Sequence, residues 1–130
     1  MTRVARPKAG RAARVAVIGI AALVGVLIVA SLAAQLLGVR VYRITSGSME
    51  PTIVAGETIL TRSTAADDLV VGDIVTTQRR GSERTVTHRI VRMEDAGGER
   101  VLWLQGDANP NPDPAPYTVS QVHRYVFTLF

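Results

Sequence analysis

The sequence predicts a mainly β protein: a small antiparallel β domain carried behind one N-terminal transmembrane helix. Three observations predict it. Val15 to Val39 is one uninterrupted apolar run. Beyond Arg40 the apolar side chains show no 3.6-residue periodicity, and short β-rich runs alternate with turn residues instead. At 130 residues the chain has room for one domain at most, and residues 40–130 suffice for one modest core.

The apolar run reads VAVIGIAALVGVLIVASLAAQLLGV, with no charge and one strongly polar side chain, Gln35. As a helix rising 1.5 Å per residue it extends roughly 37 Å, enough to cross a ~30 Å hydrocarbon core with some tilt. Arg3, Arg6, Lys8, Arg11 and Arg14 precede it with no acid among them. That asymmetry favours a cytoplasmic N-terminus. The expected organisation is a basic cytoplasmic tail over residues 1–14, an anchor over 15–39 and an extracytoplasmic domain over 40–130, held at the cell membrane. A cleavable signal peptide is the competing reading, because Ser31-Leu32-Ala33 resembles a small-x-small cleavage site. Signal h-regions run about 7–15 residues, and this run continues through Leu36, Leu37 and Val39, which favours a retained anchor.

Six runs read as strands: Arg40–Thr45, Glu57–Arg62, Asp73–Gln78, Arg84–Met93, Arg100–Gln105 and Tyr117–Phe130. Gly56, Gly72 and Gly97-Gly98 punctuate them. Five or six such strands suggest a mostly antiparallel β domain. Only Asp67–Val71 reads as a helical turn.

Composition removes several function classes. There is no cysteine, so disulfides, thiolate metal sites and cysteine nucleophiles are excluded. The net charge of +4 arises in the tail, because the rest of the chain has ten arginines against eleven acids. A nucleic-acid binder would spread its basic charge over a folded face. Lys8 is the sole lysine, so the folded part holds no lysine base. Two histidines 35 positions apart make a poor metal site, and neither a phosphate loop nor a G-x-S-x-G elbow is present.

The remaining candidates each have two readings. His88 shares a strand face with Val86 and Ile90 under period two. Partial desolvation there favours the neutral, proton-accepting imidazole; alternatively His88 is a core side chain satisfied by a carbonyl. His123, in QVHRY, reads as structural or exposed. Asp107 and Asp113 lie in GDANPNPDPAP, where Pro112 and Pro114 flank Asp113 and restrict its backbone. That segment is either a stiff polyproline-like surface loop or a rigid mount for a carboxylate that orients an imidazole. Ser46-Gly47-Ser48 is a simple turn, or a hydroxyl that a neighbouring base activates.

Taken together, SGSMEPTI, then THRIV with its histidine 40 residues after Ser48, then GD with a second aspartate six positions on, resemble the type I signal peptidases. The form resembled is the endoplasmic-reticulum-like branch, also found in archaea and some Gram-positive bacteria. The resemblance covers the anchor and nearly all of residues 40–130. It implies a mainly β peptidase domain of the signal peptidase type beside the membrane. By this resemblance Ser48 is the nucleophile, and the Ser46 hydroxyl with the Ser48 backbone N–H forms the oxyanion hole. His88 is the base where the common bacterial branch has lysine. Asp113 orients the histidine, and Asp107 supports the site. The usual GDNN is GDAN here, and the prolines that follow are a departure, which bears on the choice between Asp113 and Asp107. Related chains often continue past the last strand, whereas this sequence ends at Phe130, as a short form or as a piece of a longer chain.

The implied activity is a membrane-bound serine endopeptidase that removes signal peptides from exported proteins. It needs no cofactor and no metal. Its partners are signal-peptide-bearing preproteins and the lipid bilayer, with no nucleic acid. Two rivals remain. Self-cleaving repressor peptidases share the serine motif but use lysine and carry a DNA-binding domain. A catalytically inactive, membrane-anchored relative would bind or regulate a partner instead.

Overall fold

The structure, a computed structural model, describes residues 9–79 and 81–130. Of the basic tail, Arg3, Arg6 and Lys8 lie outside the described residues. Two units are distinguished, one ending at Leu36 and one beginning at Leu37.

Among the described residues, the first unit is a single helix, α1, Ala9–Leu36. From Gly10 onward it is long and apolar enough to cross a membrane. Its 28 residues correspond to roughly 42 Å of rise. The helix starts earlier and stops sooner than the apolar run. Arg11 and Arg14 are helical, while Val39 already belongs to a strand. The stop has a local cause. Gly38 adopts φ +67°, a left-handed conformation that ends helices and that glycine adopts without strain. A Cβ at Gly38 would also lie 2.6 Å from Ser63 Cβ.

The second unit is one antiparallel sheet of seven strands: β1 Val39–Arg43, β2 Thr58–Ala65, β3 Ile74–Gln78, β4 Thr85–Asp95, β5 Arg100–Gln105, β6 Tyr117–Val119 and β7 Gln121–Thr128. Their spatial order is β1-β2-β7-β3-β4-β5-β6. The mainly β expectation therefore holds. The closing run is two strands, however, because it serves two places in the sheet. Tyr117–Val119 pairs with β5 at one edge. After Ser120 the chain passes to the middle and pairs with β2 and β3. The helical turn is a short 3-10 segment at Ala66–Asp68.

Strand β4 shows how alternation builds the core. His88 and Ile90 are buried and Val86 is half-buried on one face, as period two requires. Val91 is exposed on the opposite face, and a register shift between Ile90 and Arg92 then interrupts the alternation, so that Arg92 is exposed as well. Two buried clusters result. Leu69, Val75, Ile90, Leu102, Leu104 and Val122 form one. Ile44, Met49, Ile53, Ile59 and Ile74 form the other.

Candidate active site

The serine turn is built from its apolar neighbours. After β1, the Ile44 N–H donates to Glu57 O at 2.8 Å, and Ile44 O accepts from the Gly56 N–H at 2.7 Å. Gly47–Met49 then forms a single 3-10 turn. Met49, 1% exposed, and the fully buried Ile53 plug this turn into the second core cluster. Burying a side chain such as Met49 is worth about 1.5–3 kcal/mol, so the core pins the turn at its foot. Ser46 and Ser48 are left on the outer side. The Ser46 hydroxyl makes no capping bond, and its Oγ lies 3.2 Å from Ser48 Oγ.

Ser48 Oγ lies 3.1 Å from His88 Nε2. The other ring nitrogen, Nδ1, lies 2.8 Å from Asp113 Oδ1. This second contact is short but lacks the alignment of a full hydrogen bond. Hydrogen bonds in active sites without substrate are often poorly aligned and tighten on binding. The His88 and Asp113 side chains are 5% and 8% exposed, so this charge interaction is screened far less than one on the surface. Asp113 reaches the ring because its N–H donates to Leu104 O at 2.7 Å and the Tyr117 hydroxyl donates to Oδ2 at 2.9 Å.

Asp107 meets different surroundings. Its carboxylate accepts from Arg89 Nε at 2.8 Å, from a terminal Arg89 nitrogen at 2.6 Å and from the Thr52 hydroxyl at 2.5 Å. These bonds, Arg89 first, hold the carboxyl below its ordinary range against the opposing effect of burial. Arg89 also donates to Gly72 O at 2.9 Å. Asp107 therefore ties three segments together: β4, the loop before β3, and the turn following Ser48. The segment between the aspartates is not a straight polyproline rod. It bends at Pro110–Asn111 and again at Pro114–Ala115, and Asn109 N–H donates to Gly106 O at 2.9 Å.

Thr52, Arg89 and Tyr117 also belong to this arrangement, and Gly106, known from the sequence only as part of the GD pair, has a place of its own in it. A Cβ on Gly106 would collide with the Ser48 carbonyl and lie 3.0 Å from His88 Nε2. That makes glycine the residue this close approach requires. The signal was present as the glycine of the GD pair at a strand exit. Arg89 and Tyr117 offered no comparable signal, since their partners are set by tertiary structure. His123 lies elsewhere, on β7. Its ring meets Tyr42 edge-on at 5.9 Å, and burial, followed by the charge of Arg40, lowers its pKa.

A cavity of about 370 Å³ opens beside Ser48 and His88, lined by the end of β1, by Thr85–Thr87 of β4, and by Arg79 and Asn109. Among the described residues, Thr85–His88 pair only with β3, because pairing of β4 with β5 begins at Arg89. Strand β1 likewise pairs, among the described residues, only with β2. The cavity thus lies between two strand edges with free backbone groups. Among the described residues, no group of three or more His, Cys, Asp or Glu side chains gathers as a metal site would require.

No curated protein sequence and no solved structure matches the chain. A family model described as signal peptidase, peptidase S26 matches residues 14–105. The match takes in α1 from Arg14, the serine turn and His88, and it stops at Gln105, just before the proline-rich loop with its two aspartates. A match over more than half the sequence, spanning an apolar helix and a β unit with Ser48 and His88 in contact, means that the chain belongs to the signal peptidase family, peptidase S26.

Proposed function

We propose that the chain is an active serine endopeptidase that cleaves signal peptides from exported proteins at the outer face of the cell membrane. The observation that carries this reading is the 3.1 Å contact of Ser48 Oγ with Nε2 of a buried histidine whose Nδ1 faces Asp113. A serine hydroxyl is a poor nucleophile until a base takes its proton. A histidine here, with no lysine in residues 9–130, supports the endoplasmic-reticulum-like branch.

In the proposed reaction His88 Nε2 takes the Ser48 proton as Oγ attacks the scissile carbonyl. The developing oxyanion is met by the Ser48 N–H and the Ser46 hydroxyl. One such preorganised donor is worth roughly 10²–10³ in kcat. The C–N bond breaks, the leaving amine takes the proton from His88, and an ester on Ser48 remains. Water, deprotonated by the same imidazole, hydrolyses it. Asp113 stabilises the imidazolium that forms in each half-reaction. The substrate lies extended between the free edges of β1 and β4, adding backbone hydrogen bonds as a strand would. With residues 1–14 in the cytoplasm and α1 as anchor, Ser48 follows the membrane segment closely in sequence. A presequence is cut just past its own apolar segment, so two anchors in one bilayer raise effective concentration without new contacts.

Purified protein in detergent micelles with several presequences tests this. Ser48→Ala abolishes processing, and His88→Ala lowers it by about 10²–10⁴-fold. Full activity in Ser48→Ala overturns the reading.

A further inference from the structure

We infer that Tyr117 is a positioning residue for Asp113: its hydroxyl fixes the plane of the carboxylate so that Oδ1 stays opposite His88 Nδ1. The inference rests on the peptidase reading above and adds to it a residue beyond the match to the family.

The geometry sets out the division of labour. The Asp113 backbone is placed by its N–H bond to Leu104 O at 2.7 Å and by the prolines on either side. None of these holds the carboxylate itself, whose terminal torsion is soft and broadly distributed. The Tyr117 hydroxyl supplies the missing constraint at 2.9 Å on Oδ2. Among the described residues, His88 and Tyr117 are the side chains that meet this carboxylate. The phenol is itself anchored. Tyr117 pairs with Leu102 across β5 and β6, and its ring packs against the first core cluster. Burial, followed by the bond to Asp113, raises its pKa, which keeps the hydroxyl a donor. The Nδ1 contact is close but imperfectly aligned, so a small rotation of the carboxylate decides whether it becomes a full hydrogen bond.

The three-residue strand β6 is thereby explained. It presents one hydroxyl to the loop four residues behind it. The charged neighbours that bear on the same groups are Arg79 beside the Tyr117 hydroxyl and Asp107, which acts on His88 and is itself paired with Arg89.

Tyr117→Phe keeps the ring and removes only the hydroxyl. The expected result is a fall in kcat of about tenfold with KM changed less than about twofold, as for a charge-assisted bond felt in the transition state. Without the hydroxyl, more negative charge faces the imidazolium, so the acid limb of the pH–rate profile moves up by about half a pH unit. In an Asp113→Asn background the same substitution has no further effect on either quantity. Titration of the His88 ring followed by nitrogen NMR reads the same displacement without relying on cleavage. If the parent chain cleaves nothing, the peptidase reading fails, and the NMR displacement still decides the role of Tyr117. A folded Tyr117→Phe with unchanged kcat and an unmoved limb overturns the inference. So does a lowered kcat with the limb and the ring titration unmoved, which is the signature of a merely structural tyrosine. Should Tyr117→Phe not fold, 3-fluorotyrosine at position 117 retains the ring and donates more strongly. It is expected to move the limb down, and an unmoved limb then overturns the inference.

Discussion

Asp107 and Asp113 leave β5 on one loop, six residues apart, and meet opposite surroundings. Asp107 is gripped by a guanidinium and a hydroxyl, and it joins β4 to the segment after the serine turn. Asp113 faces an imidazole and a phenol in a pocket where its side chain is 8% exposed. The difference comes from direction rather than burial alone, since Asp107 is only 16% exposed itself. A carboxylate saturated by Arg89 has little basicity left to offer a histidine. One held by a single neutral donor can still respond when the ring gains a proton. Two chemically identical side chains on one loop thus divide into a clamp and a candidate triad acid.

The largest expected effect breaks the Asp113 side of the comparison. Asp113→Asn keeps the shape but removes the charge that, in the proposed reaction, steadies an imidazolium and selects the tautomer with Nε2 free. In serine peptidases generally such a change costs about 10⁴-fold in kcat. Presequence cleavage by the variant measures it, with the melting temperature as a check on folding. Asp107→Ala is expected to leave most of kcat in the protein that remains folded. A loss confined to Asp107→Ala, with Asp113→Ala unaffected, would reverse the assignment of the two aspartates.

A smaller effect sharpens the Asp107 side, and it appears in stability. Removing one partner of a charge-assisted pair costs about 1.5–3 kcal/mol. The Asp107 carboxyl is held below its ordinary value, chiefly by Arg89, so its contribution has a definite sign. Above the unfolded carboxylate value of about 3.9 the contribution is fully present. As pH falls through the lower folded value, it is lost. The stability gap between the parent chain and Asp107→Asn, followed by chemical denaturation, is therefore wide at neutral pH and closes below about pH 4. A gap that does not narrow in acid would mean that Asp107 acts by shape and not by charge.

Much of this contrast was legible before the fold, and the unreadable part has physical causes. The helix announced itself because its apolar run is unbroken and long enough to cross a membrane, and the buried face of β4 because His88 alternates with Val86 and Ile90. Pairing identity is not encoded in alternation. The run after Tyr117 reads as one strand, although Ser120 divides an edge strand from a central one. The bulge after Ile90 is invisible for the same reason. The GD glycine and both aspartates could be found from the motif. Which aspartate faces the histidine depends on Arg89 and Tyr117, whose contacts form only when β4, β5 and β6 assemble. The proline-rich departure fell in the stretch where the family match ends.

Those prolines provide the mildest test of the comparison. Pro112 and Pro114 flank Asp113 and none flanks Asp107, so chain stiffness is one candidate cause of their different placements. The structure offers a competing cause, the Leu104 and Tyr117 bonds that hold Asp113 directly. Replacing Pro114 with alanine separates the two. The unfolded chain gains freedom, which costs about 0.4–1 kcal/mol of stability. If the two bonds, one on the backbone and one on the carboxylate, place Asp113, the cleavage rate changes by less than about threefold, because its folded position survives. If stiffness places it, the rate falls with the added loop freedom, and far more steeply than the melting temperature. The ratio of those two losses in Pro114→Ala therefore reports whether Asp113 is held by its hydrogen bonds or by its backbone.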